Sequence, residues 1–210
     1  MSITSPVTTT APTISSFGAG GQMYMASIWT GFNIRGQKIN PLFAFNANSN
    51  EENAAMLTNL METRKVGSTM AFRANRIGFR VLDLLPHNAS APLTPVQVAE
   101  MKRLLASAVI TITLGANETK VAEFSGMDLM QAIDTVGADA TNTSAVNPGL
   151  GGGISWINLQ MPIEIQANVN IGGTVRFNRD VPDSLIPANA SDPAFIGFVV
   201  ILQGLKVVKS

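Results

Sequence analysis

The sequence predicts a mainly β protein, an antiparallel β-sandwich with two or three short helices confined to the connections. Apolar and polar residues alternate with a period of two in several stretches, the pattern of half-buried strands. Helix signals are few and short, which favours a sandwich over an α/β fold. A chain of 210 residues can bury a sizeable core. We expect an extended N-terminal arm over residues 1–22 and a single domain over residues 23–210.

The predicted arm is rich in Ser, Thr, Pro and Gly, and the first charged side chain in the chain is Arg35. Disordered tails are usually highly charged and poor in apolar groups. This segment instead carries apolar residues such as Ile14 and Phe17. It could be an ordinary loose terminus or an arm that becomes ordered on a neighbouring subunit, and we favour the second interpretation.

The first helix signal is at Asn50, which is placed to cap a helix that continues to about Arg64. The two glutamates that follow the cap would lie in the first turn, where carboxylates interact favourably with the helix dipole. Residues 70–82 then alternate as a strand, but their apolar positions change from even to odd numbers. A slip of one residue exchanges the two faces of a strand, so the pattern predicts a bulge near Asn75 and Arg76.

The second helix signal is a capping box formed by Thr94 and Gln97, with a proline at the first helical position. It predicts a helix to about Ser107. Residues 108–114 follow as an alternating strand, and the sequence Gly-Ala-Asn-Glu after them permits a turn into a strand over residues 119–124. The two strands are therefore predicted to form a hairpin.

The region after this hairpin has weaker signals. Residues 125–128 could open another short turn or helix to about residue 136, and residues 137–153 are a polar, glycine-rich loop. The glycine cluster in residues 149–153 leads into a strand rather than a helix, and the cluster in residues 18–21 is not preceded by a strand. Neither has the context of a phosphate-binding loop.

The clearest alternation lies in residues 163–171, whose odd positions would face the core and whose even positions would face outward. Gly172 and Gly173 are predicted to form a tight turn, after which residues 174–178 resume as a strand. Residues 195–202 are apolar at both odd and even positions. This last segment is typical of a strand that is covered on both faces.

No motif in the sequence specifies a catalytic, cofactor or metal site. Cysteine is absent, which excludes disulfides and thiolate zinc sites. A Ser-His-Asp triad would have to use His87, which lies in a loop sequence without a GxSxG nucleophile elbow. The spacing of Asp180, Asp183 and Asp192 matches no EF-hand. We therefore expect a protein that is not an enzyme and has no cofactor.

The overall charge indicates self-association rather than attraction to nucleic acid. Lys plus Arg and Asp plus Glu number 14 each, and charged residues are 13% of the chain, against about 25% in ordinary domains. A neutral surface does not keep copies apart. No basic n-region with an apolar core marks a signal peptide. The longest apolar run, residues 195–202, is too short to span a bilayer, so we expect no transmembrane segment.

One basic stretch could contact nucleic acid or an acidic neighbour, and its alternative is a polar strand face balanced by acids elsewhere. Five basic residues occur between Glu62 and Asp83 with no acid among them. They are Arg64, Lys65, Arg73, Arg76 and Arg80.

The order of these features resembles the single jelly-roll virion proteins of bacteriophages, including small capsid proteins of tailless icosahedral phages. The resemblance covers about residues 40–208 and rests on a series of segments in a shared order. In order, they are the Ser/Thr/Gly-rich arm, a strand at residues 43–45, the Asn50 helix, Met-Ala-Phe-Arg-Ala-Asn-Arg-Ile-Gly-Phe-Arg (70–80), Ile-Thr-Ile-Thr-Leu-Gly (110–115), the glycine-rich loop, Ser-Leu-Ile-Pro (184–187) and the closing strand.

The resemblance implies a jelly-roll subunit that assembles into a virion shell and catalyses nothing. It would be made in the host cytoplasm, would reside in the virion, and would have copies of itself and other virion proteins as partners. The resemblance carries no functional residues, because such subunits act through surfaces. Low charge and long uncharged runs, residues 140–163 and 193–205 among them, agree with a surface buried against other subunits.

Two other functions stay open from the sequence. A lectin-like sandwich could recognise glycans through loops such as residues 137–153. It would be expected to carry aromatic residues in its loops, but Tyr24, Trp29 and Trp156 are the only tyrosine and tryptophans. A hydrolase could use scattered carboxylates in a concave site.

Overall fold

Two antiparallel four-stranded sheets make up most of the structure, a computed structural model that describes residues 21–84, 94–128, 155–189, 191–194 and 196–209. The mainly β prediction is confirmed. In chain order the elements are β1 (Gly21–Asn33), β2 (Ile39–Leu42), α1 (Ala54–Leu57), β3 (Met70–Asp83), α2 (Pro95–Ala106), β4 (Ala108–Leu114), β5 (Thr119–Ser125), β6 (Ser155–Ile165), β7 (Ile171–Phe177), a 3-10 turn (Asp183–Leu185) and β8 (Ile196–Lys209).

The strand order is β1-β8-β3-β6 in the first sheet and β2-β7-β4-β5 in the second. Four of the pairs are nested: β1 with β8, β2 with β7, β3 with β6 and β4 with β5. Nested pairs of this kind form when two chain segments, β1 to β4 and β5 to β8, run side by side as one long antiparallel ribbon. The chain turns from one segment into the other between β4 and β5. The remaining pairs, β3 with β8 and β4 with β7, join one part of the ribbon to another.

The two sheets share one hydrophobic core, in which phenylalanine rings meet from both sides. The Phe177 ring of β7 lies 6.2 Å from Phe32 of β1 and 5.9 Å from Phe198 of β8, measured between ring centroids. Phe79 of β3 lies 5.3 Å from Phe198 in the same way. Tilted and edge-on rings at such distances attract one another beyond the area they bury. This cluster fixes the sheets face to face.

The bulge predicted near Asn75 and Arg76 is confirmed. The register of β3 shifts between Ala74 and Arg76 against both of its neighbours, β6 and β8. Asn75 is exposed at the shift, whereas Phe72 before it and Ile77 after it are fully buried. The extra residue allows apolar side chains of even number before the bulge and odd number after it to face the same core.

The predicted capped helix and hairpin are also confirmed. Thr94 Oγ1 accepts a hydrogen bond from the Gln97 N–H, and the Gln97 side chain accepts one from the Thr94 N–H. The strands β4 and β5 pair around a turn at residues 115–118. Residues 126–128 form one 3-10 turn, and the rest of the predicted helix to residue 136 and the loop 137–153 lie outside the described residues.

The helix predicted from Asn50 to Arg64 is wrong. Only α1 forms in this range, and the residue before it, Asn53, has a φ of 61° and makes no side-chain cap. Thr58, directly after α1, is extended. The Thr58 hydroxyl donates to the Trp29 carbonyl, so the chain leaves the helix after one turn to bind β1. Here tertiary hydrogen bonds override local helix signals.

The predicted tight turn at Gly172 and Gly173 is also wrong, because both glycines lie inside β7. The chain instead turns at residues 166–170, where Asn168 has a φ of 63°. A Cβ on Gly173 would lie 2.4 Å from the Thr111 carbonyl oxygen of the neighbouring strand. The glycine is therefore needed for close backbone approach rather than for a turn.

The alternation in residues 163–171 gave the correct buried positions within the strands but not one strand, and the odd-numbered Ala167 and Val169 are only half-buried in the turn between them. Ile163, Ile165 and Ile171 are buried as predicted, and Gln166 is exposed. However, β6 ends at Ile165 and β7 begins at Ile171, and the two strands belong to different sheets. The chain crosses between the sheets in the intervening turn.

Two further predicted boundaries differ from the observed ones, at the start of β1 and at β2. β1 begins at Gly21, opposite Lys209, so the last two residues of the predicted arm are strand residues, and residues 1–20 lie outside the described residues. The strand expected at residues 43–45 is instead β2, which ends just before Phe43, a residue with a φ of 60°.

We predict that Ile165→Asp is severe and Gln166→Asp mild. Ile165 is fully buried opposite Phe72, so an aspartate there would bury an unpaired carboxylate, at a cost of several kcal/mol out of about 5–15. The exposed Gln166 should change stability by about 0.5 kcal/mol. Thermal unfolding of both variants measures the difference, and equal melting temperatures would contradict the assigned register.

Candidate functional site

The outer face of the first sheet carries a row of side chains that crosses all four strands. Trp29 of β1 lies opposite Ile201 of β8, which lies opposite Gly78 of β3, which in turn lies opposite Trp156 of β6. Opposed residues share a face of a sheet, and sequence neighbours point to the other face. Because the next residue, Leu202, is fully buried in the core between the sheets, this row faces away from the second sheet.

A groove of about 460 Å³ runs along this face. Both tryptophans of the chain line it, and Ala55 and Met56 of α1 form one of its walls. Of its six other lining residues, three are apolar and three are polar. They are Leu82, Val199 and Ile201, together with Ser27, Arg80 and Gln203.

The floor of the groove is a second hydrophobic cluster, separate from the core between the sheets. Leu57, Val199 and Ile201 are its buried members, and both tryptophans, Phe45 and Leu82 pack against them. The outer face of an antiparallel sheet is commonly polar. The prediction that residues 195–202 are covered on both faces is confirmed for the described residues of β8, since Val199 and Ile201 are buried on the outer side.

Apolar side chains continue along this face beyond the groove. Met25, four residues before Trp29 in β1, lies opposite Leu205 and shares the face of Trp29. It is 63% exposed, and Met56 at the groove wall is 51% exposed. Methionine adapts its shape and is common on surfaces that bind other proteins. The groove and its extension to Met25 are called the outer apolar face below.

Three of the five residues of the predicted basic patch lie on this face. The Arg76 guanidinium sits 4.5 Å from the centre of the Trp156 ring and donates to the Gln203 side-chain oxygen. Arg80 lines the groove and has no ion pair or hydrogen bond within the described part of the chain. Arg73 lies opposite Glu164, with 3.9 Å between the nearest charged atoms.

The other two residues of the predicted patch lie elsewhere. Arg64 forms an ion pair with Glu118 in the turn between β4 and β5, and a Cβ on Gly172 would lie 2.8 Å from its Nη2. Lys65 pairs its backbone with Glu62. The structure therefore brings together Arg73, Arg76 and Arg80 on one face of the first sheet. Arg64 lies apart from them, at the second sheet and its β4–β5 turn, and Lys65 lies beside Glu62.

The edge of the first sheet next to this face is covered by side chains. The Asn59 side-chain oxygen accepts a hydrogen bond from the Trp29 N–H at 2.9 Å, and its amide donates to the Ser27 carbonyl at 2.9 Å. Thr58 binds the same strand at the Trp29 carbonyl. Since unpaired edge groups invite strand addition, these contacts block that route along the middle of β1. The outer apolar face, rather than this part of the edge, is the accessible surface.

Chemical groups that could support catalysis or metal binding are scattered within the described ranges. No three His, Cys, Asp or Glu side chains come together there. A hydrogen bond from Lys38 and its charge hold the pKa of the exposed Asp180 below its usual value. Asp192 accepts hydrogen bonds from Asn189 instead of joining Asp180. His87 lies outside the described residues.

No helix in the described part of the chain is long and apolar enough to cross a membrane. Sequence reasoning missed the groove itself, because Trp29 and Trp156 are far apart in the chain and are brought to one groove only by the order of four strands. The apolar residues at both odd and even positions in β8 were the available signal.

We predict that Asn59→Ala destabilises the fold by about 1–3 kcal/mol, because it removes both side-chain hydrogen bonds to β1 and leaves the Trp29 N–H without its partner. Asn50→Ala is the matched control: Asn50 is exposed and caps no helix, so its substitution should be neutral within about 0.5 kcal/mol. Urea unfolding of both variants compares them. Equal midpoints would show that the contacts at the β1 edge contribute nothing.

Comparisons with known proteins leave the site to be interpreted from its geometry. No protein-family model, no curated protein and no solved structure matches the chain. The features that bear on function are therefore the order of the strands and the outer apolar face of the first sheet.

Proposed function

We propose that this chain is a jelly-roll structural subunit that assembles with copies of itself into a virion shell and catalyses no reaction. The observation that carries the proposal is the strand order, β1-β8-β3-β6 over β2-β7-β4-β5, with its nested pairs. An eight-stranded jelly roll consists of two packed sheets of this kind and is common in viral capsid proteins. Fold alone does not define function, so the surface must also agree.

The outer apolar face supports assembly. The buried centre of a protein interface is depleted in charge and richer in aromatic residues, methionine and arginine than other surfaces. This face combines two tryptophans, Met25 and Met56 with Arg76 and Arg80. Apolar patches of this kind on a protein of low charge mark sites of association.

The arginines of this face give the contact a polar component. The chain as a whole is neutral, so cations that lack an acidic partner on this face are balanced by acidic side chains elsewhere. A neighbouring copy can present such acidic side chains to this face. In the proposed shell, Arg76 and Arg80 pair with acidic groups of a neighbouring subunit or another virion protein. Contact with the genome is the alternative use of these two side chains.

A glycan-binding module is the second candidate, and the position of Trp29 and Trp156 at one groove is the observation that favours it. Aromatic faces can stack on sugar rings. Against this use, the described lining of the groove offers few hydrogen-bonding side chains besides the two indole N–H groups, namely Ser27, Arg80 and Gln203. Both tryptophans also lie in strands rather than in loops. Titration with an array of glycans distinguishes the two functions.

We predict that the purified chain forms particles much larger than 22.2 kDa at micromolar concentration between pH 6 and 8. Sedimentation velocity at low salt measures the size, and negative-stain images test whether the particles are closed shells. A monomer under all these conditions would contradict the shell proposal.

A charge placed on the outer apolar face should weaken assembly without affecting the fold. We predict that the double substitution Met25→Lys and Met56→Lys raises the concentration needed for assembly by about tenfold or more. Met161→Lys is the control, since Met161 is 83% exposed on the irregular part of β6. Identical sedimentation of the double variant and the unsubstituted chain would exclude this face from the contact.

A further inference from the structure

We propose that the groove on the outer face of the first sheet holds residues 1–20 of a neighbouring copy. This inference rests on the proposed assembly and adds to it the identity of the contact: a segment of one subunit lying on the tryptophan groove of the next. Four observations carry it: the charge of the segment, the direction of β1, the reach of the chain and the blocked edge of β1.

The chemistry of the groove matches that of the segment. Among the described residues, the groove is lined mainly by apolar side chains, with one cation, Arg80, and no acid. A charged side chain entering such a site would lose water without gaining a partner of opposite sign, except for a carboxylate that reaches Arg80. Residues 1–20 contain no charged side chain and carry Ile3, Val7, Ile14 and Phe17 among small polar residues. The segment can therefore place apolar groups in the groove without bringing a further charge into it.

The direction of β1 favours a neighbouring groove over the chain's own. β1 runs from Gly21 to Asn33, and Trp29 is eight residues after its start, a distance of about 27 Å along a strand. The straight continuation of β1 before Gly21 points away from Trp29. To reach its own groove the segment would have to reverse over its own sheet, whereas a neighbour's groove can be reached without reversal.

The length of the segment is sufficient for this contact. Twenty extended residues span at most about 70 Å, which exceeds the length of the sheet along β1. Part of the segment can therefore cross to the next subunit while another part occupies the groove. Counting back in the sequence from Gly21, Phe17 and Ile14 are the first large apolar side chains available.

The edge of β1 directs the segment to the face of the sheet. The amide and carbonyl groups of β1 between Ser27 and Trp29 are already bound by the side chains of Thr58 and Asn59. An incoming segment cannot add as a further strand along this part of the edge. The groove beside it, between Trp29 and Trp156, is the open apolar surface.

Tryptophan fluorescence gives a direct probe of this contact in the full chain. Both tryptophans line the groove, and residues 1–20 contain neither tryptophan nor tyrosine. Occupation of the groove removes water from the indole rings and moves their emission to shorter wavelength. Emission and sedimentation are measured on the same samples over a thousandfold range of concentration, from submicromolar upward.

The test compares the full chain with two double variants. The variant with Ile14→Ser and Phe17→Ser changes the segment, while the variant with Ile39→Ser and Val121→Ser removes apolar surface from the second sheet, where both residues are exposed. We expect the emission of the unsubstituted chain to shift to shorter wavelength as it assembles. The first variant should require about tenfold higher concentration for both changes, and the second should resemble the unsubstituted chain.

Three results would overturn the inference. If the variant with Ile14→Ser and Phe17→Ser assembles and shifts like the unsubstituted chain, subunits associate through other contacts and the shell proposal stands without this one. If a dilute monomer already shows short-wavelength emission that this variant loses, the segment occupies its own groove. If the chain stays monomeric at every concentration, the inference and the shell proposal fail together.

Discussion

The structure depends on the burial of both faces of one strand. β8 lies between β1 and β3, and its side chains alternate between two apolar surroundings. Phe198, Val200 and Leu202 close the core between the sheets, while Val199 and Ile201 form the floor of the groove. A polar substitution at one of these five positions would disrupt the core between the sheets or the outer cluster. The same strand thus stabilises the domain and creates the surface that we propose for assembly.

Much of the fold could be predicted because it is encoded in short stretches of sequence. The capping box at Thr94, the alternation in β4 and the phase change at Asn75 each concern a few neighbouring residues, and each prediction was confirmed. The failures arose where distant residues decide the conformation. α1 ends early because Thr58 and Asn59 bind β1, and Gly173 is required by the Thr111 carbonyl of an adjacent strand.

The candidate site could be predicted only in part. The basic residues of β3 were recognised as a group from the sequence. That Arg73 lies on the same face as Arg76 and Arg80 follows only when the bulge is combined with the strand order. Arg64 left the group because it pairs with Glu118 beside the second sheet. The two tryptophans gave no signal of their own, since their position at one groove depends on three strand pairings between distant segments.

The central claim is that the outer apolar face is buried between copies of the chain, and the exposed methionines allow a direct test. Hydrogen peroxide oxidises accessible methionines to the sulfoxide, which mass spectrometry locates. Met25 and Met56 lie on this face, and Met161 lies on the irregular part of β6. We predict that Met25 and Met56 oxidise several times more slowly in assembled particles than in dilute protein, while the oxidation rate of Met161 changes little. Equal rates for Met25 and Met56 in the two states would contradict the claim.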